Sequence, residues 1–304
     1  MKKISVILLL ALLLSVQIPS EAGFFTEQKA KIEQQKFNKT QNAEIKALFG
    51  EMIKQANKHC LIGLQSVYSK DFVNSDGFNY DIYMKMVEDT WKTYPDITYS
   101  TQINNIEFTD NYARVYVTET AVSAPKEQIG DFETVGELYS TSKCIYHLQK
   151  HGEIWLIESE DILEETSTLK YGGARYVNVK LDTPKQIGAG KYYTTTLKID
   201  VPHGVDAVAS ISREKIVYPQ TKTEDNFRRV SNDNILERVF MSNQENVNEY
   251  AIASVGLAQA QEQGENINIH MRGLAFIMTR VNVIPENKFV NIEDKKVKKN
   301  EQSK

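Results

Sequence analysis

The sequence predicts an α+β fold, three helices packed on one face of an antiparallel sheet, followed by a separate all-β sandwich. Two observations carry this expectation. Apolar residues recur at spacings of three and four as far as Tyr94-Pro95, then switch to alternation of period two; that change marks helices giving way to hairpin-linked strands. Beyond about residue 174 helical periodicity disappears, and short β-rich runs separated by turn residues continue to about residue 290.

The first 22 residues differ in kind from the rest. Lys2 and Lys3 precede an apolar run over residues 4–16, Pro19 breaks it, and Ser20-Glu21-Ala22 places small residues before a cleavage point at Gly23. This is the three-part pattern of a signal peptide, so residues 1–22 are expected to be removed and the chain exported to the periplasm or the extracellular space. The run falls short of the roughly 20 residues that cross a bilayer, and no later stretch is apolar enough, so no membrane span is expected after cleavage. The 304 residues give room for two domains, and 25% charged with 41% hydrophobic residues is the balance of a soluble globular protein. A net charge of −4 with both signs interspersed offers no basic face for nucleic acid.

Residues 23–40 are polar and rich in Gln and Lys, a lead-in or a frayed helix. From near Asn42, Ile45, Leu48, Phe49, Met52, Ile53 and Ala56 share one helical stripe. A short second helix carries Leu61, Ile62, Leu64 and Val67, and a loop with Asn74, Asp76 and Gly77 follows. The third helix sets Tyr80, Tyr83, Met84, Val87, Trp91 and Tyr94 on one face, and Pro95 ends it. Strands are predicted over 103–108 and 112–121, the latter with Ala113, Val115 and Val117 opposite Tyr112, Arg114, Tyr116 and Thr118. After a looped stretch with Pro125 and Gly130, strands over 137–149 and 154–162 form a hairpin about His151-Gly152.

The first domain therefore spans 41–165. Residues 165–173, with Thr166, Ser167, Thr168 and Gly172-Gly173, read as a linker. The second domain, 174–290, holds seven or eight predicted strands: 176–181, 192–201, 207–212, 215–218, 238–241, 250–255, 267–271 and 274–284. Their number and spacing give an immunoglobulin-like sandwich, without a Cys…Trp…Cys signature; residues 257–263 also fit a brief helical loop. The polar tail over 291–304 is expected to be disordered.

Three segments carry a family resemblance. Val67-Tyr68-Ser69-Lys70-Asp71-Phe72-Val73 looks like the tyrosine–acid–phenylalanine step that closes the second helix in SnoaL-like, or nuclear-transport-factor-2-like, proteins. Trp91-Lys92-Thr93-Tyr94-Pro95-Asp96-Ile97 is similar to their aromatic-Pro-Asp turn into the sheet, and Tyr146 to Trp155 resembles their closing hairpin around a Gly turn. Order and spacing agree over residues 41–165. The resemblance implies that this domain is a cone of three helices on a curved antiparallel sheet, with a pocket between sheet and helices. It leaves function open, because members include isomerases and cyclases as well as protein-binding and assembly modules. In the enzymes a pocket carboxylate moves a proton while a tyrosine or second acid binds the developing oxyanion. The nearest candidates are Tyr68, Asp71, Glu158 and Asp161, none of which maps onto a family catalytic position. Asp71 reads as a loop residue or helix cap, and Glu158 shares the parity of Ile154 and Leu156, facing the pocket or its mouth.

As a group Trp91, Tyr94, Tyr116, Tyr146 and Trp155 are the expected lining of an apolar cavity with polar tips, or the filling of the core. No catalytic residue, metal site or cofactor is predicted. The five histidines lack ligand spacing, Gly188-Ala189-Gly190 lacks the Lys and helix of a phosphate loop, and no G-x-S-x-G occurs. Cys60 and Cys144 either pair in an oxidising compartment or remain two buried free thiols. The expected function is a non-enzymatic exported module, whose cone binds an unidentified protein or a small apolar ligand and whose sandwich docks it. The alternative is an isomerase, cyclase or dehydratase acting on an apolar substrate. The open sheet face also offers a surface for a homodimer.

Overall fold

The computed structural model describes residues 21–129, 132–220, 225–231, 233–263 and 266–285. The expected signal segment lies outside these apart from Glu21 and Ala22, as does the expected disordered tail. The chain divides into two compact units, residues 1–47 and 48–304. Helix α1 (Glu21–Asn57) begins in the first unit and ends in the second. Residues 23–40, expected as a lead-in or a frayed helix, belong to it. Among the described residues no helix is long and apolar enough to cross a membrane.

In the second unit, Phe49, Met52 and Ala56 of α1 are buried, as their spacing requires. Helix α2 (Leu61–Gln65) is one turn long and leaves Val67 outside it. Strand β1 (Tyr68–Asn74) follows, where a helix end and loop were expected; Asp71 is thus an exposed strand residue and not a cap. The alternation of Phe72 and Asn74 inward with Asp71 and Val73 outward fits a strand lying against a sheet. Helix α3 (Tyr80–Thr93) starts on Asn79, whose side chain accepts from Ile82 N at 3.0 Å, and stops before Pro95.

The antiparallel meander is β2 (Thr98–Thr109), β3 (Tyr112–Ser123), β4 (Lys126–Ile129), β5 (Phe132–His151) and β6 (Ile154–Gly172). Gly152, with φ +64°, makes the tight turn between the last two. Ala113, Val115 and Val117 point inward as predicted. Two bulges bend β6. His147 pairs with Ser159 but Leu148 pairs with Ile157, leaving Glu158 as an extra residue; Leu163 is extra in the same way between the partners of Lys143 and Cys144.

The segment read as a linker is strand. Thr166, Ser167 and Thr168 pair with Thr141, Ser140 and Tyr139 on one side and with Thr279, Met278 and Ile277 on the other. β-branched threonines with partners on both edges favour strand whatever their polarity, and the turn chemistry is confined to Gly172 (φ +56°) and the 3-10 turn Gly173–Tyr176.

The remaining strands are β7 (Val179–Asp182), β8 (Gln186–Gly188), β9 (Tyr192–Ile199), β10 (Asp206–Lys215), β11 (Arg228–Arg229), β12 (Ile235–Met241), β13 (Glu249–Gln263) and β14 (Asn266–Ile284). Residues 257–263 are strand and not helix. The two expected strands either side of Arg272-Gly273 are one, because that step is a bulge opposite Leu257-Ala258 and not a break. Strand β14 joins β6, so the main sheet runs β11-β10-β13-β14-β6-β5-β3-β2, and a three-stranded sheet runs β12-β9-β7. Inward residues of both sheets, among them Leu181, Leu197, Ile211, Val255 and Ile277, form one hydrophobic core.

Strands β1 and β14 use the same edge of β6 in succession, β1 in parallel as far as Glu160 and β14 in antiparallel from Thr166. A buried ion pair fills the junction. Arg280 Nη1 donates to Asp76 Oδ2 at 2.9 Å and Nη2 to Asp76 Oδ1; the two side chains are 0% and 3% exposed. Asn248 donates to Asp76 at 2.8 Å, Arg280 Nε to Asn282 at 2.7 Å, and Glu165, held by the Tyr250 hydroxyl at 2.8 Å, lies 3.9 Å from Arg280.

Candidate functional site

A cavity of about 220 Å³ opens between the helices and the inner face of the meander. For scale, an apolar cavity of about 150 Å³ accepts a benzene. Its helical side is apolar, from Met52, Ile53 and Ala56 of α1, Leu64 of α2, and Val87 and Trp91 of α3. Its sheet side is polar, from Thr101 of β2, Glu119 of β3, and Ser140, Ser142 and Tyr146 of β5. Asn57 ties the two sides together: its side chain accepts from Tyr99 N at 2.6 Å and donates to Tyr99 O at 2.9 Å.

Glu119 faces inward because it continues the parity of Ala113, Val115 and Val117. Its Oε1 accepts from the Tyr146 hydroxyl at 3.1 Å and from Thr101 at 3.3 Å. Glu160, 3% exposed, faces inward for a different reason: the bulge at Glu158 shifts the parity, so Glu160 pairs with Tyr146 and not with Ile145. Its Oε2 is buried without a hydrogen-bond partner. Burial first, and the charge of Glu119 second, push the Glu160 carboxyl up to about 8. Burial also raises Glu119, against the pull of Tyr146 and Thr101. Near neutral pH this pair therefore retains a proton. Burial raises Tyr68, Tyr83 and Tyr146 as well, so all three remain hydrogen-bond donors.

Of the five aromatics expected to line a cavity, Trp91 and Tyr146 do so. Trp91 stacks on His59 with centroids 5.0 Å apart, and its Nε1 has no hydrogen-bond partner. Tyr94 sits half-buried at the C-cap of α3. Tyr116 lies on the outer face of β3, where its hydroxyl donates to Glu107 at 3.2 Å. Trp155 is buried beside Phe108 and away from the cavity wall.

Among the acid and tyrosine candidates, Tyr68 lines the cavity and packs on Phe72 and Tyr83. Glu158 and Asp161 do not; they accept from His151 at 2.7 Å and His147 at 2.8 Å on the opposite face of the hairpin. Of the two alternatives for the cysteines the structure has free thiols, but only one of them is buried as expected. Cys60 is an exposed free thiol at the start of α2, and Cys144 is a buried one on β5 beside Glu119 and Glu160. Sequence reasoning missed Glu119 and Glu160. The first was legible, as an acid on the apolar parity of its strand; the second depends on a bulge that no local pattern announces.

No family model and no curated protein matches the chain. Solved structures similar to it include a candidate dehydratase of the nuclear-transport-factor-2-like family from Streptomyces avermitilis, at 11% identity and TM-score 0.31 over 41% of this chain and 96% of that one. The type 3 hexachlorocyclohexane dehydrochlorinase of Novosphingobium barchaimii LL02 is similar at 12% identity and TM-score 0.31, over 41% and 86%. A conserved protein from Planctomyces limnophilus DSM 3776 is similar at 13% identity and TM-score 0.34, over 40% and 94%. Each of these likenesses covers about 40% of this chain, and of the three the Streptomyces avermitilis protein is the one described as nuclear-transport-factor-2-like.

Proposed function

We propose that this chain is an exported small-molecule-binding module, in which residues 41–165 form a helix-capped cone that captures the ligand and residues 174–290 form a sandwich that docks it to a protein partner. One observation carries the proposal: a cavity whose helical wall is apolar and whose sheet wall presents Glu119, Tyr146, Thr101 and Ser142. The ligand that fits is about the size of one substituted ring, with a hydrogen-bonding group at one end. Docking is supported by exposed Tyr192, Val239 and Met241, which put apolar side chains on one surface of β9 and β12.

The test is a binding screen of substituted phenols, cyclic ketones and medium-chain alcohols against the mature protein, read by Trp91 fluorescence in a Trp155→Phe background. Saturable binding that Ala121→Phe abolishes, by filling the cavity, supports the reading. Equal binding by the filled variant, or no binding by the parent, overturns it.

A second reading, dehydratase- or isomerase-type proton transfer, is favoured by the desolvated Glu119 carboxyl held by a tyrosine. Its signature is deuterium exchange from solvent into the carbon next to the carbonyl of a bound ketone. Glu119→Gln would abolish that exchange while leaving binding intact.

A further inference from the structure

We propose that Glu119, Cys144 and Glu160 form a binding site for one divalent transition-metal cation of the zinc class, at the floor of the cavity. This goes beyond ligand capture and does not depend on it. The three residues come from adjacent strands β3, β5 and β6, and one donor atom of each lies within 4.8 Å of the others. A cation held at about 2.0–2.3 Å from each donor spans separations up to roughly twice that, so small side-chain rotations close the site.

A second observation points to a missing partner. Glu160 Oε2 is fully buried and accepts no hydrogen bond, although burying an unsatisfied oxygen is unfavourable. Neither carboxylate forms an ion pair with Lys or Arg among the described residues. Cys144 contacts Ser142 Oγ at 3.6 Å, and its thiol also lies in hydrogen-bonding reach of Glu160, so sulfur and carboxylate already face one another. Two carboxylates and a thiol in one buried volume call for a cation. The sulfur selects a zinc-like metal over magnesium or calcium, which take oxygen donors.

The site is reachable, because Glu119 is itself part of the cavity wall. A cation arriving from the cavity displaces the thiol proton and the proton held between the two carboxyls. Its fourth position then faces the cavity. Tyr146 and Thr101, which donate to Glu119, hold that ligand in orientation.

The experiment uses the full mature chain, stripped with a chelator and titrated with Co²⁺ and then Zn²⁺. One equivalent of Co²⁺ with a thiolate-to-cobalt charge-transfer band, displaced by Zn²⁺, is the expected result. Cys144→Ser should remove the band, and both it and the isosteric Glu160→Gln should weaken Zn²⁺ binding on the order of 100-fold or more, the upper range by which even outer-shell partners tune affinity. Absence of the band in the unmutated protein overturns the proposal. So does Zn²⁺ binding that Cys144→Ser leaves unchanged, since the metal would then sit on the surface pairs His147–Asp161 and His151–Glu158.

Discussion

Replacing Asp76 with Ala would expose how strongly the two ends of the main sheet depend on one another. Arg280 is left with a side chain 0% exposed and its bidentate partner gone. Breaking a buried pair from one side costs about 3–5 kcal/mol, because an uncompensated charge stays inside. Here Glu165 at 3.9 Å and Asn282 at 2.7 Å remain beside the guanidinium, which places that part near 3 kcal/mol as a rough figure. Asn248 also loses its acceptor, adding about 1 kcal/mol. The expected total is about 4 kcal/mol. Urea unfolding followed by tryptophan fluorescence and far-ultraviolet circular dichroism measures it, and both probes should shift together in one transition. Combining Asp76→Leu with Arg280→Met, which removes both charges, should recover about 2 kcal/mol or more of the loss. A cost below about 1 kcal/mol, or two transitions of which only one moves, would refute the view that the pair welds the junction of β1, β6 and β14.

Stability should also vary with pH through Glu160. Its carboxyl lies near the ordinary 4.5 in the unfolded chain and about 8 when folded, so the folded state holds a proton that the unfolded state releases. That contribution is fully present below about pH 4.5 and is lost as pH rises through about 8. In chelator-treated protein, melting temperature should fall across this window, and Glu160→Gln should flatten the curve; a variant curve parallel to the parent's would count against it. Tyr146→Phe removes the 3.1 Å donor to Glu119 and should lower stability by about 1 kcal/mol, read from the urea midpoint. Gly273→Ala would drive a methyl group against the backbone nitrogen of Ala174 and within 2.9 Å of Tyr171 O, where neither neighbour can yield. The expected loss is roughly 1–3 kcal/mol, and a neutral change in thermal unfolding would contradict the close approach.

Much of the fold was legible because its rules are local. The stripe of Phe49, Met52 and Ala56, the buried face of α3 carrying Tyr80, Met84 and Trp91, and the alternation of Ala113, Val115 and Val117 each follow from a period the chain carries in itself. The same alternation leads to Glu119 on the inner face, although the residue was not singled out from it. What misled was composition read without partners: Thr166, Ser167 and Thr168 resemble a linker until strands lie on both their edges, and Gly273 resembles a break until Leu257 pairs with it.

Sequence alone therefore determined the buried stripe of α1, the frame of α3 and the inward face of β3. Tertiary structure decided which acids enter the pocket. A bulge at Glu158 reverses parity, turning Glu160 in and Asp161 out. Only β14, meeting β6 far along the chain, could bring Arg280 to Asp76. Periodicity is a property of neighbours in sequence; bulges and buried ion pairs are settled by neighbours in space.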